Sequence, residues 1–298
     1  RLRSRGLGDV YKRQSVWLAK QLDGEIISCD SMQVYKKMDI GTAKVTQEEM
    51  QGIHHELIDV QNYNEPYNVK VFQEKCRTAI EDVVKRGKFP ILCGGTGLYL
   101  KAALYDYEFQ EENEDIAYTT FLNSKTNEEL VAMLKEKDEK ALEKIHPNNR
   151  KRLIRALQIC HSGTSKSEQE DKQQHIPLYD VYFLGLDVNR EILHDRINKR
   201  VDIMFENGLV KEVEDLFTNP ETWEYTSFQG IGYKEFKDYF LKEKSIDEVK
   251  TAIKTHSRQY AKRQYTWFKN QMPVHWFEAQ NRDEIYSAVK EWLMDEDK

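Results

Sequence analysis

The chain has 298 residues, 39% of them hydrophobic and 32% charged, with a formal net charge of −6. This is enough for a full core and more than one structural unit in a soluble globular protein. No apolar run approaches the ~20 residues that span a bilayer, and the basic N-terminus lacks the apolar stretch of a secretory signal. Cys29, Cys76, Cys93 and Cys160 are scattered without a C-x-x-C pair. That argues against a zinc module or a disulfide framework and fits a reducing compartment. A mildly acidic total leaves nucleic-acid binding open, because such binding depends on local clusters of charge.

From Ser15 the sequence "SVWLAKQLDG" reads as a helix running into a strand; residues 1–14 carry no pattern of their own. Apolar runs at 25–29 (EIISC), 55–60 (ending in LIDV) and 88–93 (KFPILC) read as strands. Between the last two, Val69, Phe72, Cys76, Ala79, Ile80 and Val83 fall on one side of a helix. Alternating strands and helices imply an α/β fold with a parallel sheet flanked by helices.

The pattern changes after Tyr107. Residues 108–177 are charged and strand-free. They contain a helix at "TNEELVAMLKEKD" capped by Thr126, a second at "HPNNRKRLIRALQI", and a polar loop at "HSGTSKSEQEDKQQH". They read as a helical insertion within a core made of 15–107 and 178–298. A strand returns at "YDVYFLGLDV" (179–188), and beyond Asn189 the chain is mainly helical, with one late strand at "PVHWFEA".

In open parallel sheets ligands sit beyond the carboxyl ends of the strands. Two stretches fall there. In "CDSMQVYKKMDIGTAK", Asp30 directly follows its strand, where a carboxylate can serve as a base, a metal ligand or simply a turn cap. In "GGTGLYLKA", glycines around Thr96 open a helix whose exposed amides suit an anion, although a tight strand-to-helix turn has the same composition.

Basic clusters follow. Arg150, Lys151, Arg152 and Arg155 crowd one stretch of helix; Lys250, Lys254, Arg258 and Lys262 recur every fourth residue. Tyr260, Tyr265, Trp267 and Phe268 interleave the second cluster, which has no carboxylate from Lys250 to Trp276. Aromatic and basic groups together suit RNA, although a solvated helix face over an aromatic core stripe is the plainer reading. Arg196 and Arg200, one turn apart, can clamp a phosphate.

The stretches "GEIISCDSMQVYKKMDIGTAKVT", "GGTGLYLKAAL", "IHPNNRKRLIRAL", "RINKRVDIMFENGLVKEV", "FQGIGYKE" and "HSRQYAKRQYTWFK" together resemble the tRNA dimethylallyltransferase family, also called tRNA isopentenyltransferases or IPP transferases. They occur in that family's order from about Ser15 to Phe268. The resemblance implies a P-loop-NTPase-like parallel sheet with a helical insertion contacting tRNA and a helical C-terminal region. It implies transfer of a dimethylallyl group from dimethylallyl diphosphate to N6 of the adenosine 3′ to the anticodon, with Mg2+ assisting pyrophosphate departure. By matching, Asp30 is the general base and Thr96 an active-site threonine. Arg200 and Gly95 face the diphosphate. Ser31, Met32 and Gln33 contact the flipped-out adenine. Lys151, Arg152, Arg155, Gln229, Lys234, Arg258, Gln259, Lys262, Arg263 and Gln264 fall in tRNA-contact segments. A monomeric cytoplasmic enzyme is implied, with the tRNA anticodon stem-loop and dimethylallyl diphosphate as partners and no membrane.

One part of the family pattern is not matched. Members open with a strand and a loop G-P-T-x-x-G-K-T, whose lysine and threonine would fall near Tyr11 and Lys12. "GLGDVYKRQS" has the wrong spacing, so no metal ligand is assigned, and residues 1–14 are expected to be a foreign or artefactual piece rather than a natural variant. Either origin implies weak diphosphate binding, low activity and unpaired sheet edges. Two other classes fit parts of the sequence. A small-molecule phosphotransferase would use Arg196, Arg200 and the GGTG turn, whereas a non-enzymatic RNA-binding protein would need only the basic helices.

Overall fold

The computed structural model describes residues 7–109, 115–163, 165–168 and 176–295, with the backbone alone for 7–11. The chain forms two compact units, one from residues up to Leu104 and from Tyr179 onward, the other Tyr105–Leu178. No helix among the described residues is long and apolar enough to cross a membrane.

The larger unit begins with α1 (Leu7–Gln21). The helix therefore extends through residues that carry no sequence pattern of their own: once the turn after Ser15 forms, the preceding "DVYKRQ" contains no glycine or proline to stop propagation. Val16 and Ala19 pack against Ile26 of the first strand. A parallel sheet follows in the order β2-β1-β3, from β1 (Gly24–Ser28), β2 (His55–Glu56) and β3 (Phe89–Cys93). Ile26 pairs with His55 on one side of β1 and with Ile91 on the other. The strand expected through 60 stops at Glu56, because Leu57 and Asp59 take positive φ (63° and 56°) and turn the chain away.

α2 (Val69–Lys85) begins where the Asn68 side chain accepts from the N–H groups of Lys70 and Val71. It buries Phe72, Cys76, Ala79, Ile80 and Val83, the stripe the sequence shows. α3 (Gly97–Leu104) packs beside it, with Phe72 and Tyr99 stacked at 4.5 Å.

The Tyr105–Leu178 unit has its own core. α4 (Ile116–Asn123), α5 (Asn127–Asp138) and α6 (Arg150–His161) enclose Leu122, Leu130, Leu134, Leu153 and Leu157. Thr126 and Glu129 form the capping box expected at α5. Part of the polar loop that follows α6 lies outside the described residues.

After this unit, β4 (Leu184–Asp187) pairs in parallel with β5 (His275–Glu278), making a second two-stranded sheet. Between them run α7 (Arg190–Glu206), α8 (Leu209–Leu216) and α9 (Ile246–Gln271), and α10 (Arg282–Met294) follows β5. Only four residues of the apolar run 179–188 become strand. Among the described residues β3 is an edge of the first sheet, and β4 has β5 as its single partner.

Candidate active site

β1 and β3 are parallel and in register, with Ser28 opposite Cys93, so the loops leaving their carboxyl ends emerge side by side. The Cys29 N–H donates to the Cys93 carbonyl at 2.9 Å, and the Thr96 N–H donates to the Cys29 carbonyl at 3.4 Å. This crossing sets Asp30 next to the GGTG turn. Asp30 Oδ1 accepts from the N–H groups of Met32 (2.8 Å) and Gln33 (3.3 Å). The cap reading of Asp30 is thus correct as far as it goes, but the same side chain lines a cavity of about 1350 Å³. Thr96 Oγ1 accepts from the Ser31 N–H at 3.3 Å and lies 3.5 Å from the Ser31 hydroxyl.

The glycines of this turn also lie in close packing contact with their surroundings. A side chain at Gly95 would strike Gln264, one at Gly97 would strike the Trp267 ring, and one at Gly94 would strike the Cys29 backbone. The Gly95 carbonyl accepts from Gln264 Nε2 at 2.8 Å. Gly95 and Gly97 thus admit α9 to the turn, and Gly95, the position assigned to the diphosphate, lines the cavity beside Gln264.

α9 also supplies a residue that sequence reasoning left out of the site. The Tyr260 side chain lies beside Thr96 and Gln264 on the cavity wall. Burial, then the nearby Asp30 charge, pushes this phenol above its ordinary range. Its position among the interleaved aromatics was visible; its contact with Thr96, distant in sequence, was not.

Cations line the same cavity: Arg200 from α7, Lys234, and Arg258, Lys262 and Arg263 from α9. Arg200 Nε is buried without a hydrogen-bond partner among the described residues, as is Arg196 Nη1. A buried guanidinium donor without an acceptor suits an incoming anion. Arg263 lies over the Tyr260 ring, 5.7 Å from its centroid. Arg258 donates to Asn198 and Thr255 side chains.

A family model described as IPP transferase matches residues 33–271. The chain belongs to the IPP transferase family. Members of this family are enzymes that transfer a dimethylallyl group to tRNA. Proteins named tRNA dimethylallyltransferase from Bacillus cereus (strain ATCC 10987 / NRS 248) and Bacillus anthracis are each 48% identical over 281 residues. These alignments cover 93% of this chain, and 88% and 89% of the relatives. Among solved structures, the tRNA delta(2)-isopentenylpyrophosphate transferase of Staphylococcus epidermidis is 39% identical with a TM-score of 0.70, covering 96% of this chain and 97% of that one. A eukaryotic dimethylallyltransferase acting on tRNA is 30% identical with a TM-score of 0.80, covering 97% and 76%.

Other positions singled out within this IPP transferase sequence divide by location. Ser31, Met32, Gln33, Gln229 and Lys234 line the cavity with Asp30 and Thr96. Gln229 donates to the Trp223 carbonyl at 2.6 Å, and a side chain at Gly230 would meet Met32. Gln259 is exposed on α9. Lys151, Arg152 and Arg155 are exposed on α6, in the Tyr105–Leu178 unit.

Three of the basic residues singled out have partners within the chain. Arg150 donates to the Leu122, Asn123 and Lys125 carbonyls, tying α6 to the α4–α5 turn. Lys250 and Lys254 both reach Asp202 of α7, at 2.7 and 2.6 Å. Glu25, His54 and Glu56 are the one grouping of three among the described residues close enough to hold a metal ion. Arg86 already pairs with both glutamates (2.6 and 3.0 Å), and none of the three lines the cavity.

Proposed function

We propose that this chain transfers the dimethylallyl group of dimethylallyl diphosphate to N6 of the adenosine 3′ to the anticodon. The observation that carries the reading is the convergence of Asp30, Thr96, Gln33 and Arg200 on one cavity in a member of this family. Asp30 would take the proton from the exocyclic amine as the N6–carbon bond forms and the carbon–oxygen bond to pyrophosphate breaks. An aromatic amine is a weak nucleophile, and such assistance is worth roughly 10²–10⁴-fold in rate. The Arg200 guanidinium, with its unpartnered Nε, would offset charge on the departing pyrophosphate. The flipped-out base would meet Ser31, Met32 and Gln33. Arg258, Lys262 and Arg263 would follow the RNA backbone beside the cavity, and Lys151, Arg152 and Arg155 would contact it from the insertion. A monomeric enzyme working in the cytoplasm completes the reading. Mg2+ would assist departure of the pyrophosphate, held chiefly by the phosphate oxygens and water, with oxygen donors such as Asp30 and Thr96 on the cavity wall.

The test compares the chain with its Asp30→Ala variant. Both should bind an unmodified anticodon stem-loop alike, while labelled prenyl transfer falls by two orders of magnitude or more in the variant, about the weight of a general base. Prenylation at the parental rate would remove Asp30 from that role.

A further inference from the structure

The loop containing Asp39, Ile40 and Gly41 is held by one carboxylate from a distant part of the chain. Glu212 Oε2, on α8, accepts the N–H groups of Asp39 (2.9 Å) and Ile40 (2.7 Å). Its Oε1 accepts the Gly41 N–H (3.0 Å) and the Tyr233 hydroxyl (2.7 Å). Three successive backbone amides closing on an anion form a nest, and each bond is strengthened by the charge. Tyr233 is fully buried, and a side chain at Gly41 would come within 2.6 Å of its ring. Gly232, at φ +100°, brings its backbone against the Gly41 carbonyl; a Cβ there would lie 3.0 Å from that oxygen. The loop is therefore clamped from two directions, by α8 and by the "GIGY" turn.

The loop in turn reaches the cavity. Gly41, Thr42 and Ala43 line it, and the Thr42 carbonyl accepts from Gln33 Nε2 at 3.4 Å. With Nε2 engaged there, Gln33 Oε1 remains to accept from an exocyclic amine. We infer that Glu212 is a positioning residue for base recognition: through the 39–42 loop it fixes the Gln33 amide, so that discrimination for adenine, rather than general RNA affinity, depends on this carboxylate. The inference rests on the base-reading role proposed for Gln33.

The test measures binding of an anticodon stem-loop carrying adenosine at the target position and of one carrying inosine, which lacks the exocyclic amine. The parent should prefer adenosine by about tenfold, the scale of one well-placed hydrogen bond. Glu212→Ala should lose that preference while keeping its affinity for the inosine stem-loop. Added formate, entering the vacated nest, should restore it. Tyr233→Phe keeps the ring packing and removes one donor; it should retain the fold and show a partial loss, which covers the case of a Glu212→Ala chain that does not fold. Gln33→Ala separates the two levels. If the parent shows no preference, or Gln33→Ala preserves it, the base-reading role fails and this inference with it. If Gln33→Ala abolishes the preference but the folded Glu212→Ala and Tyr233→Phe variants keep it, only the role of Glu212 is overturned.

Discussion

At the residue scale, His55 shows how a strand position acquires a pH dependence. It sits in β2, and its Nδ1 donates to the Ile53 carbonyl at 2.9 Å. Burial holds its imidazole below its ordinary value of 6.5, against the opposing effect of that carbonyl. The unfolded chain therefore takes up a proton that the folded chain resists. His55's contribution to stability is complete above about pH 6.5 and is lost as the pH falls below it. Denaturation midpoints at pH 7.5 and 5.5 should differ less for His55→Asn than for the parent; an equal difference would exclude His55 as the source. Nothing in the sequence marks His55 from its neighbour His54, because the distinction lies in burial. Asp30 and Thr96 were legible, since each directly follows a recognisable strand. Glu212, Glu235 and Tyr260 were not, since their partners lie far away along the chain. Glu235, for example, bonds the Gly232 N–H and His256, joining a buried turn to α9.

At the element scale, the strongest sequence signals were periodic and local. The α2 stripe, the Thr126 capping box and the long basic helix all appear where spacing put them. What periodicity could not show is which cations on α9 are free to meet RNA. Lys250, Lys254, Arg258 and Lys262 look equivalent at four-residue spacing, yet the first two share Asp202. Burial raises the Asp202 pKa, but the two lysine bonds outweigh it and leave it below the ordinary carboxylate range. Lys250 and Lys254 thus tie α9 to α7, whereas Arg258, Lys262 and Arg263 line the cavity. The salt dependence of tRNA affinity should report this division. Arg263→Ala should lower its slope by about one, whereas Lys254→Ala should leave it unchanged. The reverse result would return Lys254 to the RNA surface.

For the whole molecule, the most consequential feature is that the parallel strands form two separate sheets. Among the described residues β3 and β4 are each unpaired on one edge, and residues of both line the same cavity along with buried apolar side chains such as Ile197, Val201 and Val289. An open strand edge is a liability in water. A version of the chain carrying an additional strand and a G-x-x-x-x-G-K-T loop ahead of Ser15 should melt at a higher temperature and transfer prenyl groups faster than the present chain. Equal activity in a side-by-side assay would show that the loop is dispensable. The sequence made the parallel sheet and the insertion legible through alternation and its loss, but the split into two sheets follows from pairing partners that alternation does not specify.

The pairing of β4 with β5 also bears on the order of events during biosynthesis. β1, β2 and β3 all lie within residues 24–93, and the Tyr105–Leu178 unit is contiguous, so each can assemble from chain that has just left the ribosome. β4, at 184–187, must wait for α7, α8 and α9 to be made before its partner at 275–278 exists. Closing so long a loop is slow compared with forming local contacts. The half of the cavity wall that holds Arg200 and Arg263 is therefore completed last, and a nascent chain presents Asp30 and Thr96 before it has the cations that face them.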